Sequence, residues 1–312
     1  MRVLITGGSG FLGRYLTKEL MKRKITTVVY DTTLPDAKKE TDRYSKNITY
    51  IKGDILDFKS LRKVMKECDL VFHTAAIAEI DEARRDPIRT INVNVMGTVN
   101  CLEAARLSGV ERVLYASSVY ASGNKGSFYR VSKQTGEALC KTYSDDFGLK
   151  YTILRYGSLY GRESNHWNFI YGVCKDLLVK GEYSYASSPD AVREYIHIDD
   201  AARETIRIAY DKEYINKSVL ITGHQRLKMR EFFETIQEIL GKPITIHYES
   251  AKKQRHYIRT PYSFDVEVPI RINISNYVDI NEGILDCLKE VREELNNVSN
   301  DRITHDRPHH SD

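Results

Sequence analysis

The chain has 312 residues, of which 41% are hydrophobic and 29% charged, a balance that suits one large globular domain with a smaller appended lobe and argues against a disordered or fibrous class. Its net charge of +4 rests on Lys and Arg residues interleaved with nearly as many acids, so a nucleic-acid partner is not expected. Five cysteines (Cys68, Cys101, Cys140, Cys174 and Cys287) lie far apart with no C-x-x-C pair, which argues against a disulfide framework and a zinc site; no metal is expected.

The chain opens on a short apolar run, Arg2 to Ile5, that passes directly into a glycine motif at Thr6. That leaves no room for a signal peptide, and no apolar run is long enough to span a bilayer, so the expectation is a cytoplasmic protein with no membrane partner. Thr6-Gly7-Gly8-Ser9-Gly10-Phe11-Leu12-Gly13 sits between that predicted strand and a predicted helix, Leu12 to Lys22. In this context Gly7 permits a tight turn, Gly10 lets a pyrophosphate approach the backbone, and Gly13 lets the helix pack closely on the strand. The phosphates would meet the N–H groups of Phe11 and Leu12 at the helix start. A glycine triad also serves as a plain turn.

The second predicted strand, Thr26 to Tyr30, ends at Asp31, where a carboxylate accepts hydrogen bonds from both adenosine ribose hydroxyls and repels a 2′-phosphate. NAD is therefore expected over NADP, with Arg43 and Lys38 as the cations able to weaken that preference. A third strand, Thr49 to Ile51, leads to Gly53-Asp54-Ile55, where an acid and the next N–H face the adenine edge. After a helix at Lys59 to Lys66, the fourth strand, Leu70 to His73, runs into Thr74-Ala75-Ala76. Side chains this small allow the cofactor to lie on the backbone, or equally a helix to pack there.

A long amphipathic segment, Ile91 to Leu107, precedes a fifth strand, Arg112 to Ala116, and Ser117-Ser118 lies at its end. Ligands collect outside the carboxyl ends of strands in such sheets. A further helix, Ser132 to Phe147, begins near Tyr129-Arg130-Val131-Ser132-Lys133, which places a phenol and an ammonium on one helix face. An ammonium beside a phenol favours phenolate, and a phenolate is a base for alcohol oxidation; Tyr129 is the expected acid/base, Lys133 its activator and a ribose contact, and a hydroxyl of Ser117-Ser118 could hold the reacting oxygen.

A sixth strand, Tyr151 to Arg155, closes the alternating half. The expected fold is therefore α/β, a Rossmann-type doubly wound parallel sheet with a smaller C-terminal substrate lobe. The NAD-binding part is expected over residues 1–156, with later segments returning to it, and the lobe mainly over 157–295. Helices are expected near Phe169 to Val179, Asp199 to Tyr210, Met229 to Leu240 and Gly283 to Leu295. The polar tail, 296–312, is expected to lack fixed structure; its His309 and His310 read as solvated.

Together the glycine turn, Asp31, Asp54-Ile55, His73 to Ala76, Asn94-Val95-Met96-Gly97-Thr98, Ala116-Ser117-Ser118, Tyr129 to Lys133 and Arg193-Glu194-Tyr195-Ile196-His197 resemble the extended short-chain dehydrogenase/reductase superfamily, in its NAD-dependent epimerase/dehydratase branch. The resemblance implies Ser118, Tyr129 and Lys133 as the catalytic set, Asn94 on the cofactor side, Arg193 on the diphosphate of a nucleotide sugar, and a homodimer through a four-helix bundle. Asn168, with Trp167 and Tyr171, falls where the base or sugar of such a substrate would lie. The leading expectation is a nucleotide-sugar epimerase working through a transient keto sugar, with an NAD(H)-dependent nucleotide-sugar dehydrogenase or reductase as the alternative. A 4,6-dehydratase is disfavoured because Val119 and Tyr120, not an acid, follow Ser118, and a non-catalytic NAD sensor is disfavoured by the intact Tyr/Lys pair. The Ser118 to Tyr129 stretch is much shorter than in typical 4-epimerases of this kind.

Overall fold

The computed structural model describes residues 1–34, 46–164, 168–248, 270–272, 274 and 276–305. Lys38, Arg43, Trp167, His309 and His310 lie outside the described residues. The strands are β1 (Arg2–Thr6), β2 (Thr26–Asp31), β3 (Ile48–Lys52), β4 (Leu70–His73), β5 (Arg112–Ser118), β6 (Lys150–Tyr156), β7 (Ser158–Tyr160), β8 (Glu182–Tyr185), β9 (Val192–His197), β10 (Lys217–Ile221), β11 (Arg226–Lys228), β12 (Thr245–Tyr248) and β13 (Ile270–Arg271). The helices are α1 (Phe11–Lys22), α2 (Phe58–Met65), α3 (Ile80–Arg85), α4 (Pro87–Ile91), α5 (Gly97–Ser108), α6 (Ser127–Phe147), α7 (Phe169–Lys180), α8 (Ile198–Tyr210), α9 (Met229–Leu240) and α10 (Ile280–His305).

Eight strands form one sheet in the order β13-β10-β6-β5-β4-β1-β2-β3. Every adjacent pair in it is parallel, as right-handed crossovers through helices require. Strands β4 and β5 are buried at every position, the mark of a sheet covered on both faces. One face packs Leu16, Leu20, Ala201 and Ile206 from α1 and α8 onto Val3, Ile5 and Phe72; the other packs Leu61, Met65, Cys101, Leu102 and Cys140 onto Leu4, Val71 and Val113. The chain order reverses between β1 and β4, which opens a crevice at their carboxyl ends.

The second lobe has its own core of Tyr160, Phe232, Phe233, Ile284, Cys287 and Val291, built by α7, α9 and α10 on short strands. Strand β10 returns from this region to the large sheet beside β6. Two expected elements differ. The segment expected as one helix from Ile91 is α4, then a π turn over Asn92–Met96, then α5. The last helix continues past Leu295 to His305, so the tail expected to be irregular begins inside a helix, and 306–312 lie outside the described residues.

Helix α6 lies on β5 through Gly136. A Cβ there would sit 2.0 Å from the Tyr115 hydroxyl, on a ring with 1% exposure, so the tyrosine cannot move aside without disturbing the sheet. Gly136→Ala is expected to cost about 1–3 kcal/mol, read as a lower midpoint in denaturant unfolding; an unchanged midpoint would contradict this packing.

Candidate active site

The glycine turn is built as its residue types require. Gly7 adopts φ +73°, and a Cβ on it would meet the Ala75 backbone at 2.5 Å; a Cβ on Gly13 would meet the Gly7 carbonyl at 2.3 Å. Helix α1 starts at Phe11 with Gly10 as its cap and no side-chain capping bond, so its first N–H groups are open to an anion. Asp31 accepts from the Ser9 N–H (3.0 Å) and the Thr33 N–H (3.0 Å), which ties the strand end to the turn. A groove of about 810 Å³ runs over these groups, lined by Gly7, Gly10, Asp31, Asp54, Ile55, Ala75 and Ala76 among others. These seven are among the expected cofactor residues, brought together from four strand ends, and the Cβ-free cradle beside a ribose-sized acceptor fits a dinucleotide.

Beneath the groove, His73 is fully enclosed. The Thr98 hydroxyl donates to the Asn94 carbonyl (2.6 Å) and therefore accepts from His73 Nε2 (3.0 Å), which leaves Nδ1 to accept from the Thr6 hydroxyl (2.7 Å). Burial pushes the imidazole down to about 3, with the Lys133 charge acting in the same direction. Between that value and the ordinary 6.5 the unfolded chain binds a proton that the folded chain refuses, so stability falls as pH drops. The thermal midpoint is expected to decline from pH 7 to 5, with a shallower slope in His73→Asn; identical slopes would contradict it.

Asn94 is placed differently from expectation. Its side chain accepts from the Ile77 N–H (2.7 Å) and donates to the Ile77 carbonyl (2.9 Å) and the Ser132 hydroxyl (3.0 Å). With its amide fully used and 2% exposed, Asn94 is a brace between the loop after β4 and the start of α6. The π turn that carries it puts its neighbours Asn92 and Val93 on the groove wall.

Ser118 ends β5, and Tyr129 and Lys133 stand in the first two turns of α6. The Tyr129 and Ser118 side chains are hydrogen-bonded. Lys133 is 4% exposed; its Nζ donates to the Ala116 carbonyl (2.6 Å) and stands 5.1 Å from the Tyr115 ring centroid and 5.7 Å from that of Tyr129. The short link from Ser118 is a 3₁₀ turn, Val119–Ser122, followed by Gly126 at φ +108° and Ser127 at φ +52°. Two successive left-handed residues start α6 abruptly, so the helix can begin two residues before Tyr129.

The expected lowering of the Tyr129 phenol by Lys133 is not what this arrangement produces. Burial raises Tyr129 above its ordinary value, and the Ser118 hydrogen bond is the influence that opposes it. Burial lowers Lys133 to about 8, with the Glu137 carboxylate working against that loss of charge.

Of the residues expected to meet substrate, Arg193 lies in β9 with 8% exposure and donates to the Val192 carbonyl (3.1 Å). Its neighbour Glu194, 1% exposed, pairs with Arg226 (2.9 Å) and Arg271 (3.6 Å). Asn168 is the N-cap of α7, bonded to the Tyr171 N–H (3.4 Å) and the Leu159 carbonyl (2.8 Å), and Tyr171 turns its hydroxyl to Glu294 in the lobe. Asn168 and Tyr171, expected in a base- or sugar-facing stretch, make capping and packing contacts here. Sequence reading also missed Glu137 and Arg155, a buried pair behind Ser118 (2.8 Å). The available signal was a second charged residue four positions after Lys133 on a helix face otherwise made of Gly136 and Cys140, opposite an Arg in an apolar strand.

The NAD dependent epimerase/dehydratase family matches this chain over residues 3–220. A UDP-N-acetyl-alpha-D-glucosaminuronate decarboxylase of Bacillus cytotoxicus is 30% identical over 265 residues, covering 76% of this chain and 80% of that protein. A UDP-glucuronate 4-epimerase of Thermodesulfobacterium geofontis is 26% identical over 272 residues, covering 78% of this chain and 82% of that protein. The fold is similar to that of the UDP-glucuronic acid 4-epimerase from Bacillus cereus, solved with UDP-glucuronic acid and NAD, with a TM-score of 0.82 at 22% identity over 94% of this chain and 100% of that one. With the family matched across the sheet, the glycine cradle and the Ser118, Tyr129 and Lys133 cluster, the chain belongs to the NAD dependent epimerase/dehydratase family and is an NAD-dependent enzyme.

Proposed function

We propose that this enzyme is a nucleotide-sugar epimerase that inverts a sugar hydroxyl centre, with a UDP-hexose or UDP-hexuronate as the substrate class. The observation that carries the reading is the hydrogen-bonded Ser118 and Tyr129 pair at the carboxyl edge of the sheet, with Lys133 one helical turn on. NAD, when bound, supplies the hydride acceptor and donor. Gly7, Gly10, Gly13 and the N–H groups of Phe11 and Leu12 would hold its pyrophosphate, Asp31 its adenosine ribose, and Asp54 and Ile55 its adenine edge.

Ser118 orients the sugar hydroxyl, Tyr129 removes and later returns its proton, and Lys133 donates toward the nicotinamide ribose and Tyr129. Val119 is 2% exposed and apolar, so the residue directly after Ser118 is not an acid able to protonate a departing hydroxyl, which supports inversion over elimination. Arg193 would meet the diphosphate with its guanidinium fork. The inverted centre is C4 and the carrier UDP in this reading, in line with the 26% identical UDP-glucuronate 4-epimerase.

A second reading, loss of carbon dioxide from an acidic sugar, is favoured by the 30% identical decarboxylase. Incubating the enzyme with UDP-glucose, UDP-glucuronate and UDP-N-acetylglucosaminuronate and following products by NMR and mass separates the readings. An isomer of unchanged mass with no net change in reduced nicotinamide supports epimerisation; loss of one carboxyl supports decarboxylation; steady reduction of NAD supports a dehydrogenase.

We further infer a cytoplasmic homodimer through α5 and α6. Phe128 (41% exposed), Val131 (39%), Leu107 (39%) and Phe147 (54%) leave an apolar surface on these two helices, with Met96 (47%) just before them. Val131→Asp is expected to give a monomer in light scattering at micromolar concentration; an unchanged dimer would move the interface elsewhere.

A further inference from the structure

Behind the catalytic set lies an ion pair whose partners are both buried, Glu137 (8% exposed side chain) and Arg155 (7%). Arg155 Nε donates to Glu137 Oε1 (3.0 Å) and Nη2 to Oε2 (2.8 Å), while Nη1 reaches the Ser122 hydroxyl (3.0 Å) in the turn after Ser118. The Ser117 hydroxyl donates to the same Glu137 oxygen that takes Arg155 Nε. One carboxylate on α6 therefore pins the last residues of β5, the neighbouring residue of β6 and the 3₁₀ turn that follows. Register sets Ser117 against Arg155 and Ser118 against Tyr156.

A buried ion pair is poor value for stability alone, since an apolar pair of similar volume serves as well. Its place here has a different consequence. Glu137 is four residues beyond Lys133 on the same helix face, so its charge stands one turn from the ammonium.

We propose that Glu137 is a positioning residue for this site: through Ser117, and through Arg155 and Ser122, it fixes where Ser118 is presented to Tyr129, and its negative charge keeps Lys133 an ammonium. This rests on the assignment of Ser118, Tyr129 and Lys133 above. The groups facing Lys133 are Tyr129, Glu137 and Cys140 from α6, Tyr115 from β5 and His73 from β4. Burial holds His73 neutral and raises the Cys140 thiol and the Tyr115 phenol, which leaves Glu137 as the anion. Arg155 from β6 is the cation facing Glu137. Helices α3, α4 and α5 also pack on α6; the charged side chains of α3 and α4 are partly or largely exposed, and on α5 Glu103 pairs with Arg106 while Cys101 is neutral.

The test follows Lys133 directly in the full-length protein labelled with carbon-13 lysine, its signal assigned by Lys133→Arg, in parent, Glu137→Gln and the double variant Glu137→Gln with Arg155→Met. The titration midpoint, about 8 in the parent, is expected to fall by about one pH unit in both variants. Turnover of the nucleotide sugar found for the parent is expected to fall about 5-fold at pH 8, with its high-pH decline starting earlier by the same interval. Glu137→Asp, which keeps the charge, is expected to retain most of the parent midpoint. The double variant guards against a failure of Glu137→Gln to fold around an unpaired guanidinium. A midpoint unchanged in either folded variant overturns the proposal, as does a loss of folding in both, which would make the role purely structural. If the parent converts no nucleotide sugar, the functional reading fails while the lysine midpoint still decides the role of Glu137.

Discussion

Tyr129→Phe is expected to lower turnover of the preferred nucleotide sugar by about 10²–10⁴-fold while NAD binds with near-parent affinity. The substitution removes one oxygen, the group hydrogen-bonded to Ser118, and keeps the ring whose edge meets Tyr120 at a centroid distance of 6.4 Å. The fold and the cofactor groove, which lies over other strand ends, are left intact. Loss of proton transfer without loss of binding is the signature of an acid/base residue, read as a drop in kcat with little change in NAD titration by fluorescence. Turnover at the parent rate would remove Tyr129 from the mechanism. A parallel collapse of NAD affinity would assign it a binding role instead.

Asp31→Ala is expected to weaken NAD binding by about 10–100-fold and to narrow the preference over NADP. Two effects combine. The carboxylate offers charge-assisted acceptors to the adenosine ribose, and it also anchors the glycine turn through Ser9 and its own strand end through Thr33. Removing it loosens the turn on which the pyrophosphate rests. Isothermal titration with NAD and NADP on parent and variant measures both; an unchanged NAD affinity, or an unchanged ratio, would place the discriminating group elsewhere.

The pattern of local signals made much of this molecule legible. The glycine turn, Asp31 and the small residues after β4 act through backbone geometry and strand ends, which short segments encode, and the structure gathers them along one groove. Ser118 and Tyr129 were readable for a similar reason: each sits at an element boundary that the alternation of apolar runs already marks.

Other features depend on which atoms the tertiary fold brings together. Asn94 reads as a cofactor contact in sequence, yet its amide is taken by Ile77 and Ser132, partners 17 and 38 residues away. Asn168 reads as a substrate residue and caps a helix. The Tyr129 phenol was expected to be lowered by a nearby ammonium, but spacing on a helix says nothing of burial, and burial is the larger influence. Glu137 and Arg155 are paired only by the packing of α6 against β5 and β6. The sequence by itself therefore determined six of the eight sheet strands, the crevice between them and the residues at their ends, because these follow from periodicity and backbone conformation. Only the tertiary structure decided which polar side chains remain for ligands and which protons the enclosed groups hold, because desolvation and long-range hydrogen bonds exist once the layers close.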